Sequence, residues 1–207
     1  MADVPTAITQ APLRTVRPQD LAAVYTQPNV QLARLTRGGR VRKAAPGLYY
    51  ALPDDQDVTW LPTLESVAAG AATALYGDRI PVLMHLTAAR LHGALPRAVG
   101  FAVVAVPTRR RPLRLLDRPN AVLTFVARDV DGLDAALMPT DLGRVLVTTP
   151  EQTVLDIARR PELGGLPDEV RDVVRTLLPR CAPERLDLLA RGQRMTRTLE
   201  RIRAEHP

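Results

Sequence analysis

The sequence predicts an α/β (α+β) fold with two parts, a small basic module followed by a larger mixed domain that ends in a helical tail. Three observations carry this prediction. The first quarter of the chain has the order helix, turn, helix and two short strands. Between residues 101 and 148 the apolar pattern changes to that of short strands, and the final part returns to a helical period.

The composition describes a globular chain. It has 207 residues, of which 46% are apolar and 24% charged, and its mean hydropathy is -0.06, values that suit one domain or two small ones. The longest apolar runs, such as Phe101 to Pro107, fall far short of the roughly 20 residues that cross a bilayer. The start resembles no secretory signal, so we expect a cytoplasmic protein with no membrane partner.

The basic module has recognisable start and stop signals. Pro18 to Tyr25 is predicted as a short helix, and Pro28 opens a second helix that runs through Arg37 to a Gly-Gly stop. Two strands follow, Arg40 to Lys43 and Leu48 to Leu52, joined by a turn that contains Pro and Gly.

The positive charge is concentrated in this module. Through Pro53 the chain has seven basic and two acidic residues, so this quarter holds +5 of the total charge of +6. Such clustering favours a polyanionic partner. The simpler alternative is that the arginines only solubilise the surface and partly reflect codon usage.

The second helix divides into two faces. Leu32 and Leu35 are predicted to face inward, whereas Gln31, Arg34 and Arg37 form a polar strip. In the major groove of DNA, Arg pairs with guanine and Gln with adenine. The sequence thus predicts a winged helix-turn-helix whose strip contacts bases, and whose other cations hold phosphates; these are Arg17, Arg40, Arg42 and Lys43.

An acidic, Pro-flanked stretch separates the module from the rest. We predict a DNA-binding domain at residues 1–53, a linker at 54–62 and an α/β domain at 63–207. The elements expected in the last part are helices at 64–76, 86–92, 150–159, 168–178, 183–189 and 195–205, and strands at 101–106, 113–116, 121–127 and 144–148.

Most catalytic sites are excluded by composition. Lys43 and Ser66 are the sole residues of their types, which excludes phosphate-binding loops and standard kinase sites and argues against a catalytic serine. His85, His92, His206 and Cys181 are too scattered for structural zinc. We therefore predict no catalytic residues, cofactor or metal, and interpret His85 and His92 as hydrogen-bonded packing residues rather than ligands.

One charged loop stands out in the second part. Arg109, Arg110 and Arg111 lie between two predicted strands, where they either contact a partner or are a solvated turn. The final helices carry further arginines, which surface solvation explains.

Four segments resemble the AbiEi-type antitoxins of bacterial abortive-infection toxin-antitoxin systems and their winged-helix relatives. They are RTVRPQDLAAVY from Arg14, LARLTRGGRVRKAAPGLYYALP from Leu32, LMHLTAARLHGALP from Leu83, and RVLVTTPEQTVLDIARR from Arg144. The resemblance implies an N-terminal domain that binds promoter double-stranded DNA and represses its own operon. It also implies a C-terminal domain that neutralises a cognate nucleotidyltransferase-like toxin.

Two alternatives stay open at this point. One is a stand-alone winged-helix transcriptional regulator whose second domain senses a ligand or dimerises. The other is an atypical, kinase-like enzyme that inactivates the toxin by phosphoryl transfer. The remaining routes to neutralisation are direct binding of the toxin and antagonism at the toxin's target without contact.

Overall fold

The computed structural model describes residues 4–206 and contains a three-stranded and a six-stranded sheet. Both sheets are associated with helices, so the mixed α/β class predicted from the sequence is confirmed. Within the described residues, no helix has the length and apolar character needed to span a membrane.

The smaller sheet belongs to the N-terminal part. Its strands pair antiparallel in the order β1-β3-β2, with Thr15 opposite Tyr50 and Val41 opposite Ala51. The elements here are α1 (Thr6–Thr9), a 3-10 helix (Pro12–Arg14), β1 (Thr15–Val16), a second 3-10 helix (Pro18–Leu21), α2 (Pro28–Arg37), β2 (Val41–Ala45) and β3 (Leu48–Ala51).

Helix α2 has the bounds that the sequence predicts. Pro28 occupies its first position, where a missing N–H costs nothing, and Gly38 follows its last residue. Leu32 and Leu35 are buried in a cluster with residues of the 3-10 helix and the sheet, and this packing fixes which face of α2 is left outside. The predicted helix at Pro18–Tyr25 is shorter, a 3-10 helix of four residues followed by a turn.

The larger sheet has the strand order β6-β7-β5-β4-β9-β8. Two pairs are parallel, β5 with β7 and β4 with β9, and the other neighbours are antiparallel. The strands are β4 (Val82–Leu83), β5 (Phe101–Val106), β6 (Leu113–Arg114), β7 (Val122–Ala127), β8 (Ala135–Thr140) and β9 (Gly143–Thr148).

Helices cover the sheet unequally. Helix α3 packs on one face, where its alanines share a core with alternate residues of β5 and β7. A second apolar cluster joins α4 and α5 to the tail helices. The helices are α3 (Leu64–Tyr76), α4 (His85–Leu91), α5 (Pro150–Arg159), α6 (Pro167–Leu177), α7 (Pro183–Gly192) and α8 (Thr196–Glu205), with a 3-10 turn at Leu178–Arg180.

Strand β8 was not predicted. Pro139 interrupts the strand pattern, and no residue of Ala135–Thr140 is fully buried. Its position at the sheet edge, beside β9, explains both features, since an edge strand tolerates proline and exposure. Strand β6 is also shorter than the predicted 113–116.

The N-terminal part and the larger sheet share apolar contacts. Ala44, Leu48 and Tyr50 lie in the same buried cluster as residues of α3 and β5. The backbone N–H of Leu116 donates to the carbonyl of Ala44 over 2.8 Å. The stretch predicted as a linker has no regular secondary structure, yet the two parts beside it are packed against each other.

Candidate nucleic-acid interface

The outer face of α2 carries two free cations. Arg34 and Arg37 are exposed, one turn apart, while Gln31 beside them is half-buried. None of the three donates a side-chain hydrogen bond within the described residues. Both arginines lie in the last turn of α2, where positive charge also favours the helix dipole. The guanidinium groups therefore keep all their donors for a partner.

Lys43 adds a third accessible cation from the hairpin. It is exposed on β2, and its Nζ lies 5.9 Å from the ring centroid of Tyr49 on the neighbouring strand. A cation over an aromatic face gains a modest attraction that restricts where the ammonium group sits. The ammonium still has its three hydrogen-bond donors available to a phosphate.

Arg40 and Arg42 have a different environment. Arg40 donates to the carbonyl of Gln56 over 2.7 Å and to that of Pro53 over 3.0 Å. Arg42 donates to the carbonyl of Val58 over 2.5 Å. Both were predicted to hold phosphates, but here their donors hold the irregular stretch after β3 against the hairpin.

Arg17 is also engaged within the chain. Its guanidinium bonds to Asp20 over 2.8 Å, and the same carboxylate accepts from the backbone N–H of Arg17 over 2.8 Å. The Asp20 carboxylate thus accepts from the residue that precedes the 3-10 helix and caps the start of that helix at Pro18. Of the predicted phosphate contacts, Lys43 is the one with no hydrogen bond to its own chain in the described residues.

Sequence reasoning missed the role of Arg14. This residue has a positive φ of 50° and donates to the carbonyl of Leu52 over 3.0 Å and to Asp54 over 3.3 Å. Arg40 reaches the same carboxylate at 3.4 Å. The cluster fixes the end of β3, and its sole sequence signal is the acid run that follows Pro53.

The histidines are packing residues, as the sequence analysis favoured. Nε2 of His85 lies 3.0 Å from the carbonyl of Arg160, and Nε2 of His92 lies 2.8 Å from that of Thr148. Burial lowers the pKa of His85 to about 4, so its imidazole is neutral and donates to the carbonyl. No group of three or more metal-ligating side chains occurs in residues 4–206.

Ser66 is buried at the start of α3 and has no histidine partner. Its Oγ lies 2.9 Å from Oγ1 of Thr63 and 3.2 Å from Oδ2 of Asp141, and accepts from the backbone N–H of Asp141 over 2.9 Å. These contacts attach α3 to the turn between β8 and β9. The hydroxyl therefore has a structural role.

The predicted arginine loop borders a surface groove. Arg109, Arg110 and Arg111 are exposed and line a groove of about 720 Å³ together with Thr124–Ala127 of β7. Arg160 and Leu163, which follow α5, complete the lining. The groove lies on the larger domain, in a different part of the chain from α2 and the hairpin.

Comparisons with known proteins place the chain in a family. The model of the AbiEi antitoxin C-terminal domain matches residues 82–204, which is more than half of the chain. No curated protein matches it significantly. A solved structure, that of the RV2827C protein from Mycobacterium tuberculosis, is similar at a TM-score of 0.57 and 20% identity, over 100% of this chain and 84% of that one. The structural likeness concerns the fold, and the family match, over β4 to α8, shows that the chain belongs to the AbiEi antitoxins.

Proposed function

We propose that this antitoxin neutralises a cognate nucleotidyltransferase-like toxin and represses its own operon by binding promoter DNA. The family assignment supports the antitoxin role, and the N-terminal part supports the regulatory one. In this proposal α2 is the recognition helix of a winged helix-turn-helix, and the β2–β3 hairpin is the wing.

The observation that carries the regulatory role is the free cationic face of α2. Arg34 and Arg37 are exposed and unpaired in the described residues, although elsewhere the chain's carboxylates pair with many of its arginines. An α-helix fits the major groove, and a bidentate arginine contact to guanine contributes about 1 to 3 kcal/mol of discrimination. The half-buried Gln31, one turn earlier, is positioned for an adenine at the edge of the same surface.

The phosphate contacts are proposed to come mainly from Lys43. Arg17, Arg40 and Arg42 already donate to acceptors of their own chain, so we expect them to contribute less to phosphate binding than Lys43. Each phosphate that a protein neutralises releases counterions and steepens the salt dependence of binding. The wing residue should therefore contribute affinity without sequence preference.

The second domain is proposed to provide neutralisation by contact with the toxin. The AbiEi match lies on this domain, and the exposed loop Arg109–Arg111 is its densest run of unpaired cations in the described residues. The buried carboxylates Glu65 and Asp156 of this domain pair with arginines, and that of Glu151 accepts from the backbone N–H of Ala182.

A cell-based experiment tests both halves separately. A reporter behind the chain's own promoter measures repression, and growth after induction of the neighbouring toxin gene measures neutralisation. Arg34→Ala with Arg37→Ala should relieve repression and leave neutralisation intact. The matched control, Arg171→Ala with Arg197→Ala, removes two exposed arginines from α6 and α8 and should change neither readout. Full repression by the α2 variant would contradict the regulatory proposal, and growth arrest despite wild-type antitoxin would contradict the antitoxin one.

A further inference from the structure

The arginine groove of the second domain lies along an open edge of the larger sheet. On one side, β7 pairs with β5 over its whole length, from Val122 to Ala127. On its other side, β7 pairs with β6 only at Val122 and Leu123. The remaining part of β7, Thr124–Ala127, lines the groove. Half of this strand therefore has a neighbour on one side only.

The register shows which backbone groups face the groove. In a parallel ladder, alternate residues direct both backbone groups to the same neighbour. The N–H of Val122 donates to the carbonyl of Gly100, and the N–H of Arg128 donates to the carbonyl of Val106. The backbone groups of the even-numbered residues of β7 therefore point toward β5. The N–H and C=O groups of Phe125 and Ala127 then point outward, and among the described residues no backbone partner meets them.

The chain before β6 does not close this edge. Continued past Leu113, the antiparallel register would set Arg111 opposite Phe125 and Arg109 opposite Ala127. Pairing stops instead at Leu113, and Arg109–Pro112 has no regular structure. Both Arg109–Pro112 and Thr124–Ala127 line the groove of about 720 Å³, so the groove borders the unpaired part of β7.

The groove has a cationic rim and a partly apolar floor. Arg109, Arg110 and Arg111 are exposed and make no ion pair in residues 4–206, and no acidic residue lines the groove. A fourth arginine, Arg160, has a weak partner in Glu162 at 3.6 Å. The half-buried Val126 and Leu163 provide apolar surface between the charges, and the buried Phe125 lies beneath.

We propose that this groove binds an extended, acidic segment of the cognate toxin, which adds a strand to the open edge of β7. Backbone groups of the segment pair with Phe125 and Ala127, carboxylates contact the arginine rim, and alternate apolar side chains cover the floor. A nucleic acid duplex fits less well, since it has no backbone amides for a strand edge. The inference rests on the proposed function because it names the toxin as the partner.

The test uses the full chain and labelled peptides in fluorescence anisotropy. The probe is a peptide of alternating Glu and Val. One control peptide has the same sequence with alternate backbone nitrogens methylated, which removes strand pairing, and another has Lys in place of Glu. The Glu-Val peptide should bind, and both controls should bind about tenfold more weakly or worse. Equal affinity for the methylated peptide, or no binding of the Glu-Val peptide, would contradict strand addition.

Matched variants of the chain locate the binding surface. Arg109→Gln, Arg110→Gln and Arg111→Gln together should weaken peptide binding by about tenfold and weaken toxin neutralisation. Arg191→Gln, Arg194→Gln and Arg197→Gln change the charge by the same amount at exposed positions of the tail and should leave both unchanged. If the first variant neutralises toxin as wild type does, the groove assignment is wrong and the proposed antitoxin function stands. Loss of neutralisation by both variants alike would also contradict the groove assignment.

Discussion

The hydroxyl of Tyr50 donates a 3.0 Å hydrogen bond to Oδ2 of Asp117 and so ties the hairpin to the larger domain. The side chain of Asp117 is buried and also pairs with Arg118 over 2.8 Å, and Arg118 in turn donates to the carbonyl of Pro62. Burial and the neighbouring Asp117 raise the pKa of Tyr50, so the phenol remains a donor throughout the ordinary pH range. The basic module is held to its neighbour by a polar network as well as by apolar packing.

Tyr50→Phe should destabilise the whole chain. The substitution leaves the ring in place and removes one buried donor to a carboxylate, a loss of about 1 to 3 kcal/mol in the free energy of unfolding. Urea denaturation measures it. Tyr49→Phe is the matched control, since Tyr49 is half-buried in the same strand and its hydroxyl makes no hydrogen bond within the described residues. Equal stability of the two variants would show that the link is weak.

Gly70→Ala should disturb the contact between α3 and the N-terminal part. A Cβ at Gly70 would overlap Oγ1 of Thr15 and lie 3.2 Å from its Cβ. Because Thr15 is buried and its Oγ1 already donates to the carbonyl of Leu13 over 2.8 Å, it has little room to move. Overpacking of this kind costs about 1 to 3 kcal/mol, which thermal denaturation would detect. Gly192→Ala is the control, since nothing lies near its added Cβ; a smaller loss at Gly70 than at Gly192 would contradict the close approach.

His85 should make stability depend on pH between about 6.5 and about 4. Its pKa is lowered from 6.5 to about 4 by burial, so in this interval the unfolded state binds a proton that the folded state does not. Stability therefore falls as the pH drops through this range, by roughly 3 kcal/mol in total, and stops falling for this reason below about 4. His85→Gln, which can still donate to Arg160, should lack this component in denaturation curves taken across the range. If the stability of the variant falls with decreasing pH as steeply as that of wild type, groups other than His85 cause the dependence.

Arg40→Ala should lower the free energy of unfolding, and this loss should be its main effect rather than a loss of DNA contacts. Its guanidinium has two carbonyl acceptors in the stretch after β3, and hydrogen bonds from charged groups contribute about 1.5 to 3 kcal/mol. Chemical denaturation should show that loss, whereas Arg34→Ala on the exposed face should change stability by no more than about 0.5 kcal/mol. Unchanged stability of the Arg40 variant would return that residue to the phosphate contacts predicted from its sequence position.

Local signals predicted most elements but not their contacts. Pro28 and Gly38 delimit α2, and the continuous apolar run Phe101–Val106 identifies a buried strand, because each signal lies within the element itself. The engagement of Arg40 and Arg42 was not predictable, since their acceptors are backbone carbonyls that every sequence has. Likewise, the groove depends on where β6 stops pairing with β7, which the run of arginines alone does not reveal.

The two parts on either side of the predicted linker are packed together, which the composition of the linker does not reveal. The stretch from Pro53 to Pro62 has the composition of a linker and no regular structure. Three arginines nevertheless bind its carbonyls, and Ala44 and Leu48 are buried with α3. Deleting residues 1–53 would expose that apolar surface, so point substitutions separate the two proposed activities better than truncation does.

The most direct test of the central claim is an anisotropy titration of the chain's own promoter duplex and a scrambled duplex over a series of salt concentrations. Arg34→Ala should reduce the preference for the promoter by about 1 to 3 kcal/mol. Lys43→Ala should weaken binding to both duplexes alike and lower the slope of log affinity against log salt by about one. Wild-type affinity, preference and slope in both variants would contradict the assignment of this face to DNA.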